Sequence, residues 1–116
     1  MEFKIFDIIG QRCITKEAGQ RIFELIHPAL LKGETVILDF EGVKQFASPF
    51  FNYAVGQLLQ DIDDEDFDKL LHIDNLGQDG RLVVQRVVEN AKNYHRDIDY
   101  KQVVDAILQQ SVEDVL

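Results

Sequence analysis

The sequence predicts one α/β domain spanning residues 1–116, with a central mixed sheet of about four strands, helices packed on it and a C-terminal amphipathic helix. Three observations support that expectation. Short apolar runs rich in strand formers alternate with segments whose apolar residues recur at helical spacing. At 116 residues and 46% hydrophobic content, the chain is long enough to bury a core without staples. Cys13 is the only cysteine, so neither an internal disulfide framework nor a cysteine metal cluster can contribute.

Phe3, Ile5, Asp7 and Ile9 share one parity and Lys4, Phe6 and Ile8 the other, which predicts a first strand with apolar residues on both faces, ended by Gly10. From Lys16 to about Leu31, the positions Ala18, Ile22, Leu25, Ile26, Ala29 and Leu30 mark a helix, with Thr15 as N-cap and Gly33 as terminator. Pro28 removes a backbone donor and is expected to bend or break that helix near His27. Val36 to Phe40 is a continuous strand-forming run, suited to the middle of the sheet. A helix from Pro49 to Gln60 follows, with Phe51, Ala54, Val55, Leu58 and Leu59 on its apolar face. Lys69 to Ile73 reads as the next strand, completing a βαβ crossover. A further helix runs from about Gly80 to Tyr94, and its many valines require burial for stability. The tail from Asp99 to Val115 is amphipathic, with Tyr100, Val103, Val104, Ile107, Leu108 and Val115 on one side. It is expected to pack on the domain or on a second copy, as a homodimer.

Charge and motif content narrow the function. With 12 basic and 21 acidic residues the net charge is −9, which disfavours nucleic acid and anionic membrane surfaces as partners. No apolar stretch approaches the length of a membrane span and the N-terminus lacks a signal-peptide pattern, so a cytoplasmic protein is expected. No phosphate-binding glycine loop and no dinucleotide fingerprint occur, and no cofactor is expected. Six acids stand between Asp61 and Asp68, but Asp66 and His72 occupy the places where a calcium loop needs Gly and Glu. A solvated connector is the simpler reading, and no metal site is expected. The histidines His27, His72 and His95 fall on three different elements, and the sequence around Ser48 lacks a nucleophile elbow. The chain is not expected to be an enzyme.

The candidate site lies where the central strand gives way to a helix, the place where open α/β sheets usually meet ligands. Ser48 there reads as a helix cap with Pro49 in the first turn. A phosphate on that hydroxyl would also be tolerated near the helix dipole. Asp39 and Glu41 flank Phe40 and could present paired carboxylates to a crevice. Phe50, Tyr53 and Gly56 surround the same helix; ordinary core is one reading of both aromatics, more readily of Phe50 than of Tyr53, and the glycine permits close approach of another backbone.

The run Val36-Ile-Leu-Asp-Phe-Glu-Gly-Val43, followed by Ala47-Ser-Pro-Phe-Phe51, resembles STAS domains of the sulfate transporter and anti-sigma factor antagonist type. It resembles more closely a bacterial STAS-like family of unknown function. The resemblance implies a STAS-like fold and a non-catalytic regulatory module that binds a protein partner through the Ser48 loop and the helix after it, with Phe50 and Tyr53 as anchors and Gly56 as the place of close approach. It also implies Ser48 as a phosphorylation switch and an ATPase-type kinase or anti-sigma-like regulator as partner. Ala47 before the serine and Pro49 after it depart from the antagonist pattern, which has an acid and then glycine. The alternative is a small-ligand or nucleotide sensor using Asp39 and Glu41 in the same crevice.

Overall fold

The computed structural model describes residues 1–96. In chain order the elements are β1 (Glu2–Lys4), α1 (Ile5–Ile8), β2 (Arg12–Cys13), α2 (Lys16–Leu31), β3 (Val36–Asp39), β4 (Gln45–Phe46), α3 (Ser48–Ala54), α4 (Asp64–Leu70), β5 (Leu71–Asp74) and α5 (Gln78–Arg96). A 3₁₀ helix, Gly56–Gln60, links α3 to α4.

Strand β3 is central, as its unbroken apolar run predicts: Val36 and Leu38 are buried and the sheet order is β1-β3-β5. Where a mixed sheet of about four strands was expected, both pairings of this three-stranded sheet are parallel. A separate parallel ladder pairs β2 with β4, Cys13 opposite Phe46. The expected C-terminal helix from Asp99 to Val115 lies outside the described residues.

The predicted first strand is half strand and half helix. Lys4 pairs with Asp39, the last residue of β3, and the next amide on that side, Glu41 N–H, donates to the Asp39 carboxylate at 2.9 Å instead. Past Lys4 no neighbouring backbone is left to extend the ladder. The chain satisfies itself locally, with Ile9 N–H donating to the Ile5 carbonyl at 2.8 Å. Ile5 is fully buried by that turn, and Gly10 then takes a φ of +111°.

Helix α2 begins as expected, with the Thr15 hydroxyl accepting from Ala18 N–H at 3.1 Å. Pro28 does not break it. The proline sits in the last turn, so one bond is lost, while Ala29 and Leu30 beyond it are buried and hold the turn in place. The helix expected from Pro49 to Gln60 divides instead into α3 and the 3₁₀ segment at Val55. The run Lys69 to Ile73 is shared: Lys69 and Leu70 end α4, and β5 begins at Leu71. Helix α5 begins at Gln78, two residues ahead of expectation.

The acidic run is structural. Asp63 caps α4 by accepting from Asp66 N–H at 2.8 Å, and Asp64, Glu65 and Asp66 occupy its first turn, where the helix dipole favours negative charge. Asp61 takes His27 of α2 at 2.8 Å, with the His27 ring stacked on Phe23. Asp68 takes Lys92 of α5 at 2.7 Å.

One position in α2 controls the packing. Gly19 is buried against α3, where a β-carbon would overlap the Phe50 carbonyl oxygen and lie 2.9 Å from Tyr53 Cβ. Alanine in place of glycine within a helix ordinarily gains about 1 kcal/mol. Overpacking against backbone costs about 1–3 kcal/mol. Overlap with a backbone oxygen that cannot turn away puts the cost at about 2–3 kcal/mol, so Gly19→Ala is expected to lower unfolding free energy by about 1–2 kcal/mol net despite its better propensity. Urea denaturation read by far-UV dichroism measures this, and a variant as stable as wild type would refute the close crossing.

Candidate functional site

The β2–β4 ladder sets the approach to Ser48. Ala47 N–H donates to the Cys13 carbonyl at 3.0 Å, which lays Ser48 beside the residues leading into α2. Ala47, in extended conformation, stands at the cap position, and its carbonyl accepts from Phe50 N–H at 3.1 Å. Ser48 is thus the first helical residue and not the cap that the sequence suggests. Its side chain is exposed and forms no hydrogen bond among the described residues. The hydroxyl that was expected to close the helix end is open to solvent.

The two aromatic anchors separate. Phe50 is fully buried, its ring 5.2 Å from Phe51 and 6.4 Å from Phe40, so it belongs to the core and cannot reach a partner. Aromatic–aromatic geometry and burial explain its place: full removal of such a ring from water contributes about 1.5–3 kcal/mol. Tyr53, one turn on, is 40% exposed and borders a hollow of about 240 Å³ with Lys16, Glu17 and Gln20 of α2. Gln57 donates to both Gln20 Oε1 at 2.7 Å and the Tyr53 carbonyl, tying the 3₁₀ segment to the back of this hollow. Gly56 does allow a close backbone approach, but to the chain's own α5: a β-carbon there would stand 3.3 Å from Val87 Cγ1. It is buried, at the floor of a hollow shared with Val87 and Ala91 of α5.

Asp39 and Glu41 do not pair. Asp39 is 8% exposed, and its Oδ1 accepts from Glu41 N–H at 2.9 Å and from Asn75 Nδ2 at 2.8 Å. The carboxylate thus closes the turn after β3 and clasps the end of β5, while the Glu41 side chain is exposed. The Asn75 hydrogen bond first, then the Glu41 amide and the Lys4 charge, hold the Asp39 carboxyl below the usual range, against the opposing effect of burial. Asn75 sits at φ +57°, a left-handed conformation that asparagine tolerates better than most residues. Sequence reasoning passed over Asn75, Gly19 and the hollow residues Lys16 and Gln20. A glycine in mid-helix and an asparagine directly after a strand were the available signals.

The remaining candidates are accounted for structurally. Cys13 is fully buried, and burial pushes its thiol up to about 11, away from nucleophilic use. His72 Nε2 bonds to the Lys69 carbonyl at 3.1 Å, and His27 is held by Asp61. His95 lies near the end of α5, so the three histidines stand on α2, β5 and α5. Among the described residues no group of three or more His, Cys, Asp or Glu side chains could hold a metal ion, and no helix is long and apolar enough to cross a membrane.

A parallel sheet flanked by helices, with a strand, a short loop and an exposed serine opening the next helix, defines an α/β domain of STAS-like type. Residues 18–81 match the family described as a STAS-like domain of unknown function, and since that is more than half of the 116 residues, the chain belongs to this family. No curated protein and no solved structure matches it.

The Asp39 clasp makes stability depend on pH in a defined sense. Because the folded carboxyl titrates below its ordinary value, its contribution is complete above the unfolded value of about 3.9 and is lost as pH falls through the folded value. Asp39→Asn should be less stable than wild type at pH 6. The gap should close on acidification, as wild type protonates. Thermal melts of both proteins between pH 6 and pH 3 check this, and a constant gap would exclude the charged clasp.

Proposed function

We propose that this STAS-like domain is a non-catalytic, cytoplasmic regulatory module that binds a protein partner at the start of α3. The supporting observation is the exposed Ser48 hydroxyl, which takes part in no hydrogen bond among the described residues, on the same short helix as the exposed Tyr53 ring. Such a helix end offers a modifiable group, an aromatic anchor and the polar hollow formed with Lys16, Glu17 and Gln20. In this reading the contact surface is Ser48, Asn52 and Tyr53; Phe50 and Gly56 hold the helix in place from beneath. A phosphate on Ser48 would add about −1.5 to −2 charges at that surface and switch partner binding. The family resemblance points to a bacterial signalling setting, with an ATPase-type kinase or an anti-sigma-like regulator as the partner class.

The sensor reading has less support. It needs a free carboxylate pair, and Asp39 is already engaged by two donors.

Affinity capture from the native cell tests the proposal, with mass spectrometry of both the captured proteins and the Ser48 peptide. Tyr53→Ala should weaken capture of the partner about tenfold, the loss of one anchor worth about 1.4 kcal/mol. Ser48→Glu should change capture in the same assay, while Leu25→Ala, on an exposed position of α2, should not. Equal capture by wild type, Tyr53→Ala and Ser48→Glu would overturn the assignment.

A further inference from the structure

The three-stranded sheet has two edges, and the chain treats them differently. At β5 the outward backbone groups are taken up by the protein itself: Leu71 N–H donates to the Phe67 carbonyl, and the Ile73 carbonyl accepts from Arg81 Nη2 at 3.4 Å. The same guanidinium donates through Nε to the Leu76 carbonyl at 3.0 Å, which holds it along that edge. At β1 the described residues leave the edge open. Ile37 N–H donates to the Met1 carbonyl, so Met1 and Phe3 direct their backbone groups at β3, and by the alternation of a strand Glu2 and Lys4 direct theirs away from it. Both residues are exposed, and no second described strand pairs with β1. Such a row of strand N–H and C=O groups is a template for pairing with another chain.

We propose that the open edge of β1 pairs antiparallel with the β1 edge of a second copy of this chain, about a two-fold axis at Phe3. Charge selects both the occupant and the register. Antiparallel strands exchange hydrogen bonds only between residues that both face outward, which allows Glu2 opposite Glu2, Lys4 opposite Lys4, or Glu2 opposite Lys4. The first two set like charges directly against each other, which is destabilising. The third uses the whole strand, and its symmetry sets Glu2 of each copy opposite Lys4 of the other. Lys4 N–H then donates to the Glu2 carbonyl of the other copy, and Glu2 N–H to its Lys4 carbonyl, which has a second lone pair beside the first turn of α1. Met1, 62% exposed, comes level with Ile5 of the other copy, next to Phe6, which is 44% exposed, so apolar surface at both ends of the strand joins the contact. A three-residue edge is small beside the surface that a permanent interface buries, so the association depends on concentration. The contact uses none of the Ser48 surface, and either assignment can fail alone.

Sedimentation equilibrium of the full chain over about a hundredfold range of concentration tests the pairing. Wild type should shift from monomer to dimer as concentration rises. Glu2→Lys sets like charge opposite Lys4, and Lys4→Glu sets like charge opposite Glu2, so each variant alone should self-associate about tenfold more weakly. Mixed in equal amounts, the two variants regain both opposite-charge contacts and should associate as wild type does. The double exchange in one chain restores the same contacts by a second route and should also dimerise. Both positions are exposed, so the exchanges spare the core, which far-UV dichroism checks. A wild type that stays monomeric throughout, single variants that dimerise like wild type, or a mixture and a double exchange no more associated than the single variants would each overturn the proposal.

Discussion

The contact at Gly19 is the constraint on which the rest of the molecule depends. With hydrogen in place of a β-carbon, the backbone of α3 lies directly on α2, so near that the Phe50 carbonyl occupies the space any side chain at Gly19 would need. That approach fixes the rotation of α3. With one side of the helix pressed on α2, Phe50 and Phe51 point into the core against Phe40. Ser48 and Tyr53 are then left facing solvent. The glycine costs about 1 kcal/mol of helix propensity. Burial of two phenylalanines contributes several times as much. The same crossing brings Gln57 within reach of Gln20, to whose Oε1 it donates at 2.7 Å.

A second constraint acts at the carboxyl end of the sheet. Open α/β folds commonly bind ligands there. In this STAS-like domain the place is taken by the protein's own groups: Asp39 joins the turn at Glu41 to Asn75, and Gly42, at φ +89°, brings the turn against the Phe6 ring. The closure has a topological origin. β1 gives out after Lys4, so the chain folds into α1 and lays Phe6 over the turn. With the end of the sheet filled by Asp39, the accessible polar groups near the strand-to-helix junction belong to α3 and the start of α2.

Much of the fold was legible because its signals are local. Val36 to Asp39 contains four residues that suit a strand covered on both faces, and it is the central strand. Thr15 announces the start of α2 through a hydroxyl that needs only its own helix. The first strand was read too long because alternation describes which faces are apolar and not whether a neighbouring strand continues. That information resides in β3, which stops opposite Lys4. At the site, Tyr53 is exposed, as a partner anchor has to be, whereas Phe50, which the sequence left open between anchor and core, is core. Adjacent aromatics cannot be sorted into inside and outside until the helix rotation is known, and that rotation is set by Gly19, some thirty residues earlier. Asp39 and Glu41 were grouped by spacing alone. The residue that separates them, Asn75, belongs to another strand end.

The acidic run shows the same dependence of meaning on context. By composition it is a solvated connector, and its net charge repels nucleic acid at long range wherever it is placed. Its position turns three of its acids into joints: Asp63 starts α4, Asp61 reaches back to α2 through His27, and Asp68 reaches forward to α5 through Lys92. Each surface pair contributes little to stability on its own. Their arrangement does more than their energy suggests. A crossover from α3 to β5 that carried no such ties would leave α4 held mainly by Phe67 and Leu70. With them, the segment is fixed to the helix before it and the helix after it. The charge that sets the protein's long-range electrostatics therefore also ties the crossover between α3 and β5 to α2 and α5, over a contact whose energy comes from buried Leu58, Leu59, Ile62 and Val87.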